Sequence, residues 1–297
     1  MKKILLLLLA VYTFSSAQGQ NNALHYDGVN DFVNFGNIGN VGGNLHLPNN
    51  FTLEAWVKLD NFPVGFPAVA TILRNGTGPT DEQYSLLIDG NGGVQFFWVN
   101  GGVFLEIHTT TSITLNTWHH VAAVRESPTS VKLYIDCVDQ PTVGSTVSAG
   151  ASGGQVVSGI GIPSLNVFAL QGAIDELRIW DMARSEAALG ATKSCALSGN
   201  EANLVAYYDF NNGTASGANA GLTTLVDKTG NGNDGILNNF NLTGSTSNWV
   251  SGAPVSASCS PPPPRIPTMN QWGLIIFGLL ILNLSIFYLW RAERIVE

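Results

Sequence analysis

Cationic residues are scarce in this chain. Its 297 residues hold 13 Lys and Arg against 21 Asp and Glu, a formal charge of −8. A nucleic-acid binder is excluded on that ground, because neutralising phosphates needs clustered cations. Charged residues of both signs reach only 11%, while 45% of the chain is hydrophobic, too much for a disordered polymer. Cysteine is limited to Cys137, Cys195 and Cys259, with no Cys-x-x-Cys pair. No Gly-x-Ser-x-Gly stands between a strand and a helix as a nucleophile elbow, and His-Glu-x-x-His is missing, which removes the helical zinc protease motif. There is no βαβ alternation, glycine-rich phosphate loop, heptad run or internal repeat. Glycine is plentiful, at 33 residues, but without a triplet period, so collagen is excluded.

Long apolar runs occur only at the two ends. Lys2 and Lys3, the run Ile4–Ala10 and the small residues Ser15 and Ala17 are the parts of a secretory signal, expected over residues 1–17 with cleavage after Ala17. Near the other end, Pro261–Pro264 and Arg265 form a semi-rigid spacer over 261–265. Residues 273–290 follow without a charge, and 18 residues at about 1.5 Å each span about 27 Å, close to the hydrocarbon core. Arg291 and Arg294 then place the tail in the cytoplasm. One exported body with a transmembrane helix behind it is the expectation. Ile266, Pro267, Thr268 and Met269, with Trp272 and Gly273, resemble the IPTL-type C-terminal sorting domain of bacterial surface proteins over residues 266–297. That resemblance implies a bacterial source and an exosortase-like sorting enzyme as partner. Two outcomes stay open: permanent anchoring in the membrane, or processing to the cell surface or medium.

Removing the five basic and two acidic residues of the ends leaves residues 18–260 near −11, roughly. Such a surface suits solubility and disfavours anionic lipid or DNA. The pattern is β throughout. Phe51, Leu53, Ala55, Val57 and Leu59 alternate with Thr52, Glu54, Trp56 and Lys58, placing the first set on one face of a strand. Further strands are expected at 84–88, 94–99, 103–108, 118–124, 131–135, 173–180 and 204–210. Between them lie turn signals such as Asn75-Gly76, Asp89–Gly93 and Asn212-Gly213. A strand every ten residues or so is the spacing of an all-β sandwich. One short helix is expected over Arg184–Leu189, capped by Ser185, and a mobile loop over Gly144–Gly154.

Seven stretches in order resemble the laminin-G-like jelly rolls of the concanavalin A/pentraxin superfamily: Ala23–Val33, Phe51–Val57, Trp118–Val124, Val131–Asp136, Gly172–Trp180, Leu204–Phe210 and Asp227–Leu237. The resemblance implies a concanavalin A-like antiparallel β-sandwich over 18–260. It says less about function, because one fold hosts lectins, adhesion modules, pentraxins and glucanases. Glucanases of this fold place carboxylates at alternating positions of one strand, so that they converge on one face. No strand here reads Glu-x-Asp-x-x-Glu or Glu-x-Asp-x-Glu; Asp175 and Glu176 are adjacent and face opposite sides. Binding without catalysis is therefore expected, of an extracellular glycan or protein. The alternatives are a degenerate or novel glycoside hydrolase and a purely structural surface protein.

The resemblance to pentraxins also raises calcium, which needs carboxylate and carbonyl oxygens on loops. Asp81 and Glu82 correspond to the acidic pair those proteins place before one strand. The second acidic cluster has no counterpart in 159–168, which lacks Asp and Glu. Asp27, Asp31 and Asp175 are candidate ligands of one structural Ca2+. Asp175 alternates with Ala173, Leu177 and Ile179 and so faces inward; a carboxylate met by backbone amides is the other reading of it. His119 and His120 face opposite ways on their strand, with no third zinc ligand in the sequence, and read as core or groove histidines. Phe97 and Trp98, beside the Gly101-Gly102 turn, are the aromatics best placed for a sugar ring, while Trp118 and Trp180 match core positions of the family. Three cysteines allow one bridge, and Cys195 with Cys259, which flank the last strands, is the expected pair.

Overall fold

The computed structural model describes residues 21–259 except 40–41, 66–67, 77–81, 101–102, 145–155, 160–161, 166 and 257. The leader, the proline spacer, Ile266, Pro267, Thr268, Met269, Trp272, Gly273, the apolar stretch 273–290, Asp81 and most of the 144–154 loop lie outside these residues. Among the described residues no helix is long and apolar enough to cross a membrane.

The first strands are β1 (Asn22–Asp27), β2 (Phe32–Asn34), β3 (Phe51–Leu59), β4 (Val69–Asn75), β5 (Tyr84–Asp89) and β6 (Gly93–Asn100). Next come β7 (Val103–Ser112), β8 (His119–Ser127), β9 (Ser130–Ile135), β10 (Val138–Asp139), β11 (Thr142–Gly144) and β12 (Val156–Ser158). After β13 (Gln171–Trp180) and the helix α1 (Glu186–Thr192) the chain adds β14 (Leu204–Tyr208), β15 (Thr224–Leu225), β16 (Gly235–Asn238) and β17 (Asn248–Ser251). They form two antiparallel sheets. One runs β10-β9-β8-β3-β13-β1-β17 with β14 also on β13; the other runs β11-β7-β6-β5-β4-β12-β2-β16-β15. This is the all-β sandwich that the strand spacing predicts.

The alternating residues of β3 fill the interior as expected: Leu53, Ala55, Val57 and Leu59 are fully buried, facing Phe96, Leu86 and Ile72 of the other sheet within one core cluster. Burying such side chains is worth about 1.5–3 kcal/mol each. The opposite face of β3 is buried too, because α1 and its flanks lie over it. Ser185 caps α1, its hydroxyl accepting from Ala188 N at 3.2 Å, and Leu189 is the buried helical residue. Where the chain crosses close to β3, Gly172 (φ +146°) is required: a Cβ there would meet Lys58 O at 2.3 Å.

In two of the strands where the register slips, the break moves a charged side chain. In β4 the register slips between Thr71 and Leu73. Ala70, Ile72 and Leu73 then all face the core, and Arg74 joins Val69 and Thr71 outside. In β13 the register against β3 slips between Asp175 and Arg178, with Glu176 at φ +51°. Ile174, Leu177 and Ile179 are therefore the core residues, and Asp175 pairs beside Trp56 on the outer face. The inward orientation expected for Asp175 is thus wrong, because the bulge inverts the parity of everything after it. The same residue marks where the partner of β13 changes from β1 to β14.

Candidate ligand-binding groove

The outer face of the β4–β7 region is not a flat solvated surface. Antiparallel register lines up Arg74, Ser85, Phe97 and Glu106 in one row across β4, β5, β6 and β7. Thr71, Leu87, Gln95 and His108 form the next. Ile162 and Phe168, from the segment before β13, stand against these rows and help enclose a cavity of about 460 Å3. Its apolar lining comes from Val69, Leu87, Phe97, Phe104, Ile162 and Phe168, and its polar lining from Arg74, Glu82, Gln95 and Glu106.

Phe97 and Phe104 stack with ring centroids 6.0 Å apart and an interplanar angle of 27°. Phe104 is 58% exposed, so this pair presents a rigid aromatic face to solvent. Beneath it, Gln95 donates through Nε2 to the exposed Glu106 carboxylate. Gln95 Oε1 is buried and accepts from no described residue. An orphaned carbonyl of this kind costs roughly 1–3 kcal/mol unless something meets it. Arg74 is buried and paired with Glu82 at 2.9 Å, and Ser85 donates to the same carboxylate. The cavity therefore presents an aromatic wall, one amide carbonyl and one exposed carboxylate, with its cation already neutralised.

The expected aromatic pair is only half right. Successive strand residues point to opposite faces, so Phe97 lines the groove while Trp98 sits in the core at 3% exposure. Phe104, Phe168, Gln95 and Glu106 were not expected here. Val103-Phe104-Leu105 is apolar at every position, so its pattern does not tell which face Phe104 takes. Of the tryptophans matched to core positions, Trp180 is buried, but Trp118 is half-buried with Lys58 Nζ 5.4 Å from its ring centre.

Among the described calcium candidates Asp27 and Asp31 lie together, while Asp175 and Glu82 lie elsewhere. Asp31 accepts from Asp27 N at 2.9 Å and from Ser247 Oγ at 3.0 Å. Register places Asp27 opposite Gln171, four residues before Asp175, or about 13 Å at about 3.3 Å per residue. Asp175 accepts from Glu176 N at 2.8 Å and Ala253 N at 2.9 Å, the backbone-amide alternative for this carboxylate. Glu82 is held by Arg74. Among the described residues no three His, Cys, Asp or Glu side chains form a group able to hold a metal ion.

A second polar cluster lies on the outer face of the other sheet. Glu54, fully buried, accepts from Arg184 at 2.6 Å, Trp180 Nε1 at 2.7 Å and His120 Nε2 at 2.9 Å. Burial alone would raise its carboxyl; the His120 bond and the charges of Arg178, His120 and Arg184 overcome that and hold it at about 2. The other His120 nitrogen lies 3.5 Å from Cys137 Sγ. Thiol, imidazole and carboxylate in that order are the parts of a nucleophilic triad. Burial, however, pushes the Cys137 thiol up to about 11, and the side chain packs in one cluster with Leu189. The cluster fastens α1 to the sheet. His119 turns the other way and pairs with Asp136 at 2.9 Å.

Cys195 and Cys259 are bridged, as their positions suggested, and Cys137 is the free thiol.

Residues 27–189 match the Laminin_G_3 family, described as the concanavalin A-like lectin/glucanases superfamily, and the chain belongs to it. Among solved structures, a protein of Bacteroides ovatus ATCC 8483, provisionally described as carbohydrate-binding, is 20% identical with a TM-score of 0.52. The match covers 74% of this chain and 58% of that one, so this chain spans little more than half of that relative. A heptameric SAP-like pentraxin of Limulus polyphemus is 19% identical over 59% of this chain and 83% of its own, with a TM-score of 0.44. The CBM40 module of a Ruminococcus gnavus IT-sialidase, solved with α2,3-sialyllactose, is 14% identical over 59% and 96%, with a TM-score of 0.46. No curated protein matches the chain.

Proposed function

We propose that this domain binds a neutral glycan, without catalysis, in the groove over β4–β7. The observation that carries the reading is the half-exposed Phe97–Phe104 stack above the Gln95 carbonyl and the Glu106 carboxylate. Sugar rings are amphipathic, with apolar faces that lie on aromatic rings and hydroxyl edges that donate to such acceptors. Arg74 is the one cation among the described lining residues, and Glu82 already neutralises it. Acidic sugars therefore gain nothing here, and Glu106 repels them. Membership of the lectin/glucanase superfamily and the likeness to a provisional carbohydrate binder agree with this reading. Hydrolysis would need two carboxylates able to exchange protons across a bond. The groove offers Glu106 and a Glu82 that is held by Arg74 and Ser85.

The cellular setting belongs to the same proposal. The chain is exported, tethered or sorted through its C-terminal segment, and displays the domain outside the cytoplasm. The Cys195–Cys259 bridge supports this, since disulfides persist in oxidising compartments. A glycan array probed with the purified protein is expected to give signals confined to neutral sugars, with no reducing ends released from them. Phe97→Ala or Phe104→Ala should weaken the best ligand about tenfold without changing the melting temperature by more than a few degrees. Binding confined to sialylated or uronic sugars, or unaffected by both variants, would refute the assignment.

A further inference from the structure

A second cavity, of about 610 Å3, lies beside the groove, and both are lined by Val69 and Phe168. We infer that the two form one continuous site, with Phe168 as the ridge between them, and that the ligand is a neutral oligosaccharide bound along its length. This inference rests on the glycan reading above and adds the size and form of the ligand.

Phe168 is fixed in place rather than loosely hung. It sits at φ +63°, a conformation that disfavours a bulky side chain, and its carbonyl accepts from Thr71 N at 3.0 Å. That bond ties the segment before β13 to the floor of the groove. Phe168 is half-buried and contributes to the lining of both cavities. Strain at a position tied down by its neighbours is the pattern expected where a side chain must stand in a set place.

The second cavity continues the chemistry of the first. No charged side chain lines it among the described residues. Phe62, Pro63 and Val64 supply apolar surface, and Asn61 and Gln171 supply amides. Asn61 donates to the Gln171 carbonyl at 3.1 Å, which leaves the Asn61 carbonyl and the Gln171 amino group to meet sugar hydroxyls. Each cavity alone is within the range of about 300–1,000 Å3 that holds a drug-sized ligand. A single sugar ring would leave one of them unused, whereas a chain crossing Phe168 fills both.

Titration calorimetry on the full-length protein tests this with ladders of two to six units of β-1,4-glucan, β-1,3-glucan, α-1,4-glucan, β-1,4-xylan and arabinan. For at least one ladder, affinity is expected to rise about tenfold or more from the dimer to the hexamer. Phe168→Gly, which suits the backbone at that position, should abolish the rise from dimer to hexamer. Asn61→Ala, at an exposed site, should weaken the hexamer more than the dimer and serves as a check that does not alter Phe168. Affinity independent of length, or a rise that survives Phe168→Gly, would overturn the continuous site and leave the groove assignment standing. If no ladder binds at any length, the neutral-glycan reading itself fails, and this inference with it.

Discussion

Glu54→Ala is expected to lower the unfolding free energy by about 3–5 kcal/mol, as removal of one partner from a buried charge cluster does. Glu54 is fully buried and receives three donors, two of them from Arg184 and His120. Without it, Arg184 keeps its packing over Trp180, 4.1 Å from the ring centre, but loses its countercharge. His120 loses the acceptor that orients it, and the cover formed by α1 loosens. Glu54→Gln keeps the shape and one acceptor and should fall between the two. Urea denaturation followed by tryptophan fluorescence checks the order; a loss under about 1 kcal/mol for the alanine variant would show that the cluster is idle.

The same residue sets the acid limb of stability. Its pKa falls on folding from 4.5 to about 2, so its contribution is fully present above about pH 4.5 and is lost between there and pH 2. On this ground the loss is on the order of 3 kcal/mol. Asp31 has the opposite sign: burial, first, and the nearby Asp27 raise it to about 6, against hydrogen bonds that lower it. Its contribution is present below the usual value of 3.8 and is lost as pH rises through 6. Asp175 is raised as well, by burial and by Glu176. Stability should therefore hold or rise on acidification from pH 7 to 4.5 and fall steeply below that. In Glu54→Gln the steep limb should flatten.

Opening the Cys195–Cys259 bridge is the second large effect. The bridged residues are 64 apart in sequence, and chain-entropy reasoning assigns such a loop about 4 kcal/mol. The enclosed segment carries β14–β17, which pair with β13, β1 and β2 and so complete both sheets. All of it lies beyond residue 189, where the match to the superfamily ends. Beside the bridge, Ala196 N donates to Ser256 O at 2.9 Å, Ser256 N and Oγ donate to Ser194 O at 2.9 and 3.1 Å, and Cys259 N donates to Ala196 O at 3.3 Å. Cys195→Ser with Cys259→Ser should lower the melting temperature by about 10 °C for a domain of this size. Hydrogen exchange should place the earliest loss at β17, the edge strand on β1. A shift under about 2 °C would mean that the β14–β17 segment holds itself.

What could be read from sequence follows from how each feature is encoded. β3 announces itself because alternation over nine residues has one meaning, and α1 because Ser185 precedes a run without strand character. The short strands β2, β10–β12 and β15–β17 hold too few residues for a period to show. The two bulges leave no local signature, since Glu176 in the left-handed region depends on the switch of neighbour from β1 to β14. That is why Asp175 was placed on the wrong face. The groove was legible to the extent of Phe97. Phe168 reaches it from a segment outside the strands of that sheet, and Glu106 and Gln95 matter only through cross-strand register, which no single segment records.

The central claim is that the face over β4–β7 holds sugar. A crystal structure of the protein with its tightest-binding neutral oligosaccharide tests that most directly. The expected result is a sugar ring on Phe97 and Phe104, with a hydroxyl within hydrogen-bond reach of Gln95 Oε1 and Glu106. A sugar bound on the opposite sheet, with this groove left open, would contradict it.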